Sequence, residues 1–331
     1  MKKNITSTDV ARLAGVSQST VSRVFSQEAG VSPRTIKKVL KAAKELDYRP
    51  NAIARGLTTN QTKLIGIIFH DVSNPFYPDV LDCFTRSLRA KGYQVLFVNA
   101  ESDQIRDEEV YQLMDYRVEG VVVADAYLST NIATRFESVG IPVVLFNRYE
   151  EYHANSIVCC NNKFAGYQIG KYLIDNGHKS FVYIAGKDDT STSLDRYNGF
   201  SKALEEAGFT PRQLVGHYTF QGGYESVMEL AKSGNLPDAI FCANDIMALG
   251  AIDAFRELDI KIPEDISIVG FDDIKMASWP AYNLTTWRQP IEEMVDQAIK
   301  LLIRDNHESA GPEFHMISGN LVERKSVKKS I

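Results

Sequence analysis

Gln18, Ser19, Ser22 and Arg23 carry the side chains with the clearest chemistry in this chain. None is apolar, and together they can donate and accept at the edges of DNA bases, where an arginine forks naturally onto guanine. Their spacing puts them on the outward side of a short helix that Ser17 can cap, with Val21, Val24 and Phe25 repeating on the other side. A solvated helix face is the plainer reading of the same residues, but what precedes them favours the first. Thr6 and Asp9 form a capping pair, Val10, Leu13 and Ala14 form an apolar face, and Gly15 stands where a helix end needs a left-handed residue. Two helices joined by so short a turn make a helix-turn-helix, whose second helix can enter a major groove.

Such a unit needs a third helix to close its core. Ser32 as N-cap and Pro33 at the first helical position start one; Ile36, Val39, Leu40, Ala43 and Leu46 give it an apolar face, and Pro50 stops it. Beyond it, Asn51 can cap a segment running only from Ala52 to Leu57, followed by the polar run 58–62. So short a helix is unstable alone in water, so this is linker or a helix that forms only against a partner. Charge follows the same division. Residues 1–63 hold twelve of the 37 Lys/Arg and four of the 42 Asp/Glu, a balance of +8 that leaves −13 on the remainder. A basic head on an acidic body suits one domain that binds a polyanion and another that stays off it.

With 331 residues, 44% of them hydrophobic, the chain is long enough for two or three units with sizeable cores. Apolar runs at 64–69, 95–98, 121–124, 143–146, 181–185, 239–242, 266–269 and 284–287 alternate with helical patterns at 80–91, 107–117, 162–176, 196–207, 245–258 and 291–304. This alternation, with continuous apolar strands, means parallel sheets covered on both faces, and its length asks for two α/β subdomains. Ligands of such sheets bind beyond the carboxyl ends of the strands. An enzyme is the rival class for such a body, yet GxxxxGK[ST], GxGxxG after a strand, GxSxG and HExxH are all missing. No apolar run approaches bilayer-crossing length and the start MKKNITSTDV lacks a signal peptide's apolar stretch, so a cytoplasmic protein is expected. Cys83, Cys159, Cys160 and Cys242 form no CxxC pair and have no His at metal-ligand spacing. They read as reduced structural cysteines, and no metal or cofactor is expected.

TSTDVARLAGVSQSTVSRVFS, VSPRTIKKVLKAAKELDYRPNAIARGL, SNPFY, CANDIMALGAI, IPEDISIVGFDDI and LTTWRQP occur in that order over nearly the whole chain. Together they resemble the lactose-repressor (LacI/GalR) family of bacterial transcription regulators. The resemblance implies a three-helix DNA-binding domain over residues 1–49, a hinge helix and linker over 50–62, and an effector-binding and dimerisation domain over 63–331. The last would be built like type I periplasmic binding proteins, as two doubly wound parallel sheets. Its N-subdomain would hold 63–161 and 291–318, and its C-subdomain 162–290 and 319–331. A homodimer on a palindromic operator is implied, since the family's tetramer-forming C-terminal helix has no counterpart.

By position, Gln18 and Ser19 match recognition-helix residues that vary among members, and Arg23 matches an arginine that commonly reads guanine. Ser17, Thr20 and Ser22 match phosphate contacts or caps. Thr6, Asn51 and Ala54 complete the DNA-binding set with Leu57, which in the family enters the minor groove between base pairs and kinks the duplex. For the effector, Phe76 and Tyr77 resemble an aromatic shelf, and Arg196 an arginine that forks onto hydroxyls or carboxylates. Asn244 and Asp272 match polar contacts on the C-subdomain, while Asp125, Arg148 and Phe220 match pocket-facing positions. Cys160-Asn161-Asn162 stands where many members have Asp-Asn, so a carboxylate near the crossover is lost. The implied function is a regulator, in the usual mode a repressor, whose operator affinity responds to a small-molecule effector. A sugar or sugar derivative is expected, with a purine or nucleoside as the alternative.

Overall fold

Three short amphipathic helices open the chain: α1 (Ser7–Ala14), α2 (Gln18–Phe25) and α3 (Pro33–Glu45). The computed structural model describes residues 5–26, 30–49, 61–70, 72–102, 105–124, 128–149, 155–187, 190–303 and 311–330. It divides into two compact units, Met1–Leu64 with Tyr116–Glu119, and Ile65–Asp115 with Gly120–Ile331.

In the first unit the Asp9 carboxylate accepts from the Thr6 N–H at 3.0 Å and from the Thr6 hydroxyl at 2.8 Å, tying down the start of α1. Gly15 ends α1 at φ 65°, a left-handed conformation that strains any residue with a Cβ. Ser17 caps α2 by accepting from the Thr20 N–H at 3.2 Å, and Ser32 caps α3 by accepting from the Thr35 N–H at 3.2 Å. Val10, Ala11, Val21, Val24, Val39, Ala42 and Ala43 form the core. Leu13 and Leu40, expected in that core, are instead each 48% exposed. At about 100° per residue, Leu13 lies roughly 110° from the middle of the Val10–Ala11 arc and Leu40 roughly 100° from Val39, so Ala11 and Ala42 face inward in their place.

The second unit holds two six-stranded sheets. The first, ordered β11-β5-β4-β3-β1-β2, comprises β1 (Leu64–Phe69), β2 (Gln94–Asn99), β3 (Gly120–Ala124), β4 (Val143–Phe146), β5 (Ser156–Cys160) and β11 (Phe314–Ile317). The second, ordered β12-β10-β9-β8-β6-β7, comprises β6 (Phe181–Ala185), β7 (Arg212–Val215), β8 (Ala239–Cys242), β9 (Ser267–Asp272), β10 (Thr285–Arg288) and β12 (Asn320–Val322). Parallel registers such as Ile65 opposite Gly120 and Phe241 opposite Val269 run through both, while β12 pairs antiparallel with β10. Strands β3, β6, β8 and β9 are buried along their whole length, which is why β3, β6 and β8 are apolar without alternation and β9 is so between Ser267 and Asp272.

The helices of this unit are α4 (Phe76–Ala90), α5 (Asp107–Asp115), α6 (Thr130–Ser138), α7 (Asn162–Asp175), α8 (Ser191–Glu206), α9 (Phe220–Ser233), α10 (Asp245–Glu257) and α11 (Ile291–Leu302). Helices α7 and α8 meet backbone to backbone. A Cβ on Gly166 would sit 2.1 Å from the Arg196 carbonyl oxygen, and one on Gly199 would sit 2.0 Å from that of Lys163. Among the described residues no helix is long and apolar enough to cross a membrane.

Candidate functional site

On the first unit, α2 presents Gln18, Ser19, Ser22 and Arg23 as exposed side chains, with Ser17 and Thr6 exposed at the helix starts and Thr20 half-buried. Several are already oriented. Gln18 Nε2 donates to Ser7 Oγ at 3.0 Å, and Ser17 Oγ lies 2.8 Å from both Ser19 Oγ and Thr20 Oγ1. A row of hydroxyls, an amide and a guanidinium along one exposed helix face can meet phosphates and base edges. Asn51, Ala54 and Leu57 lie outside the described residues, as does Asp125.

In the second unit, loops following strands of both sheets enclose a cavity of about 220 Å³. The first sheet contributes His70 after β1, Asn74, Phe76 and Tyr77 at the start of α4, and Asn147 and Arg148 after β4. From the second come Lys187 after β6, Thr192 and Arg196 on α8, His217, Tyr218 and Thr219 after β7, Asn244 after β8, and Asp272 at the end of β9. Contacts also cross between the loops of the two sheets. The Tyr149 N–H donates to Ser191 Oγ at 3.0 Å and its hydroxyl to Asp195 at 2.5 Å, while Lys275 and Asp79 are 2.6 Å apart.

Phe76 and Tyr77 are both buried, with ring centroids 5.3 Å apart and edge to face. Asn147 Nδ2 donates to the Tyr77 hydroxyl at 3.2 Å, which leaves Asn147 Oδ1 buried without a partner. A buried acceptor of that kind is costly unless a ligand N–H or O–H meets it.

Arg196 is 2% exposed. Its Nε donates to Asn162 Oδ1 at 2.8 Å, its Nη1 to the Ala243 carbonyl at 2.5 Å, and its guanidinium lies 3.6 Å above the centre of the Phe271 ring. Asp272 Oδ1 accepts from Gln289 Nε2 at 2.7 Å, and the residue holds φ 120°. Behind it, the fully buried Asp245 accepts from the Ile274 N–H at 2.9 Å and from the Thr286 hydroxyl at 2.5 Å. Burial, and then the charge of Asp272, hold the Asp245 carboxyl well above the usual range.

Asn244 is committed to the scaffold. It caps α10 by accepting from the Met247 N–H at 3.1 Å, and its Nδ2 donates to the Tyr218 carbonyl at 3.3 Å. Arg148 is buried, its guanidinium 5.7 Å from the Tyr218 ring centre. Phe220 opens α9 and is 37% exposed, outside the residues that line the cavity, whereas Tyr218, two residues earlier, is among them. His70, Asn74, Asn147, Lys187, Thr192, His217 and Thr219 were not expected here, although all but the two threonines and Asn74 lie one or two residues past a strand end, where ligands of such sheets bind. The four cysteines are free and buried, and burial raises every thiol, Cys160 to about 11. Cys159 and Cys160 are successive in β5 and so point to opposite faces of the sheet.

Residues 6–51 match the family described as bacterial regulatory proteins, lacI family, and residues 171–327 match a periplasmic binding protein-like domain. The HTH-type transcriptional repressor PurR of Histophilus somni (strain 2336) is 36% identical over 330 residues, spanning 97% of this chain and 98% of the relative. The chain belongs to the LacI family. The PurR repressor of Pectobacterium atrosepticum is 35% identical over 328 residues, spanning 96% of both chains. Among solved structures, the lac repressor dimer bound to operator and the anti-inducer ONPF aligns over 98% of this chain and 99% of its own, with 27% identity and a TM-score of 0.86. The regulator CelR in complex with cellobiose aligns over 97% and 99%, with 27% identity and a TM-score of 0.70. These LacI-family relatives are transcriptional regulators, not enzymes, and this chain is a DNA-binding repressor of that family.

Proposed function

We propose that this LacI-family repressor responds to a purine, which binds in the cavity of the second unit and changes the affinity of the first unit for its operator. The carrying observation is the near-full-length identity of 36% and 35% to repressors named PurR, against 27% to the cellobiose-bound CelR. That shifts the effector from the sugar expected of the sequence to its purine alternative. The chemistry of the cavity is compatible. Phe76 and Tyr77 bring aromatic rings for a flat π face, Asn147 Oδ1 and Asp272 offer acceptors for ring N–H groups, and Arg196 offers donors.

Gln18, Ser19, Ser22 and Arg23 would read base edges, with Ser17, Thr20 and Thr6 on the backbone, and Leu57, Asn51 and Ala54 serving a hinge at residues 50–62. Two copies on a palindrome follow the dimeric lac repressor, and action on DNA places the protein in the cytoplasm. A ligand can shift operator affinity only by its own differential affinity for the two states, about 1–3 kcal/mol of coupling in typical cases. Calorimetric titration with adenine, guanine, hypoxanthine and their nucleosides, beside ribose, glucose and cellobiose, tests the reading. Purine binding that alters operator affinity supports it. Binding of a sugar with no response to any purine overturns it.

A further inference from the structure

Arg196 and Asp272, which line the cavity, are each held by an amide that does not. Arg196 Nε donates to Asn162 Oδ1 at 2.8 Å, and Gln289 Nε2 donates to Asp272 Oδ1 at 2.7 Å. Both amides are buried, and both stand where the chain crosses from one sheet to the other. Asn162 opens α7 just after β5 leaves the first sheet, and α7 packs on α8, which lies against β6 of the second. Gln289 follows β10 of the second sheet and precedes α11, which packs on β4 and β5 of the first. Another crossing presses on this one: a Cβ on Gly319, between β11 and β12, would sit 1.9 Å from the Arg288 carbonyl oxygen. Burial dominates the raised Cys160 thiol, yet the charges of Arg196 and Asp272 both reach it, which puts the end of β5 beside both.

Two features set these crossings apart from plain scaffold. Asp272 and Asp273 have φ of 120° and 58°, a strained pair, and two consecutive residues hold them: Gln289 takes Asp272, while Arg288 Nε donates to Asp273 at 2.6 Å. Each amide also uses only one end, since Asn162 Nδ2 and Gln289 Oε1 are buried without a hydrogen-bond partner. Leaving such atoms unmet is costly, and a fixed scaffold gains nothing by it. We propose that Asn162 and Gln289 are positioning residues that tie the hold of Arg196 and Asp272 on a ligand to the arrangement of the crossings, and so carry the ligand's effect to the operator-binding unit. This rests on the reading that a ligand in the cavity controls operator affinity, though not on its being a purine. A ligand shifts an equilibrium between two states only by binding them differently. With the amides in place, a movement of the crossings turns Arg196 and Asp272, so a ligand gripped by both is bound differently in the two states. Without them the charges still face the cavity but no longer follow the crossings, and the difference is lost. The spare amide atoms serve the second state, in which they take partners that the first withholds.

The test uses the full chain with hypoxanthine, guanine, ribose and cellobiose as probes. Calorimetry gives each probe's own affinity, and fluorescence anisotropy gives the change that a saturating amount makes in operator affinity. Gln289→Leu and Asn162→Ala are expected to bring that change to within about threefold of none, against about 5–150-fold in typical coupled proteins, while probe affinity falls by less than about tenfold. Asn162→Asp still offers an oxygen to Arg196 Nε and should keep most of the change, a rescue that Asn162→Ala lacks. Gln289→Leu keeps the test open where Asn162→Ala fails to fold. Variants that lose melting temperature or probe affinity while the change in operator affinity stays at the wild-type value would overturn the proposal and leave the effector reading standing. Where only a sugar binds, the purine reading fails by itself, and the same comparison is made with that sugar. A wild type whose operator affinity none of the four alters would overturn both readings, because the amides would then have nothing to carry.

Discussion

Asp245 is a carboxyl enclosed by protein, fixed by Thr286 and Ile274 next to the loop that carries Asp272. Its raised titration point gives a definite sign. Below the ordinary carboxylate range both folded and unfolded chains hold the proton, so this residue opposes nothing. As pH rises through that range the unfolded chain ionises while the folded one resists, and stability is lost until the folded carboxyl also titrates. Asp245→Asn lacks this titration, so its melting temperature relative to the wild type should climb between about pH 4 and pH 7. A flat difference across that range would mean that Asp245 is ionised in the fold. Arg196→Lys makes a separate point. A lysine cannot donate to Asn162 and to the Ala243 carbonyl in one plane while stacking on Phe271, so the variant should lose stability by about 1.5–3 kcal/mol in a denaturant titration, and ligand affinity with it. Asp272 was legible in the sequence because it stands in the long motif IPEDISIVGFDDI, and Arg196 through its positional match to the family. Tyr218 was not, because its place in the cavity depends on a positive-φ turn and on the glycine at 186, far from it in sequence.

At the scale of elements, what places Arg196 is the glycine contact between α7 and α8. A methyl on Gly166 would meet the Arg196 carbonyl at 2.1 Å, and neither backbone can yield without moving the helix. Gly166→Ala is therefore expected to cost about 1–3 kcal/mol and to weaken ligand binding beyond what the loss of stability explains. Thermal melts paired with calorimetry decide it, and a variant with wild-type affinity would show that α8 can shift without disturbing the site. Glycines elsewhere account for part of what the sequence concealed. Strands at 64–69, 143–146, 181–185 and 239–242 were legible to the residue because they are buried apolar runs. Helix α9 was missed: Gly222 and Gly223 lower its helical propensity, yet each lies against a backbone, of Gly216 and of Met247, that excludes a Cβ. Strands β7, β11 and β12 are three or four residues long, contain exposed positions and lie at sheet edges, so they carry no apolar run to find. Leu13 and Leu40 misled in the opposite sense, since an apolar residue at nearly the right helical spacing need not face the core.

For the whole molecule, charge is divided by function: +8 on residues 1–63 and −13 on the rest. Operator binding through a basic head releases counterions, so its affinity should fall steeply with salt, by about 10³ or more between 50 and 200 mM where six or more phosphates are contacted. An uncharged purine base in the second unit releases none, and its affinity for the free protein should move by less than about threefold over the same range. That separation makes a reciprocity test clean. For a dimer with one cavity per chain, the factor by which saturating effector changes operator affinity must equal the square of the factor by which operator DNA changes effector affinity per site at the same salt, because both are legs of one thermodynamic cycle. Fluorescence anisotropy of a labelled operator with and without effector gives the first factor. Calorimetry of effector with and without saturating operator gives the second. A first factor equal to the square of the second, at each salt concentration tried, is expected if one cavity per chain carries the whole response. A departure from that square would mean that the effector acts at another place as well, on the DNA-bound form or on the DNA itself, and the assignment of regulation to one cavity per chain would then be wrong.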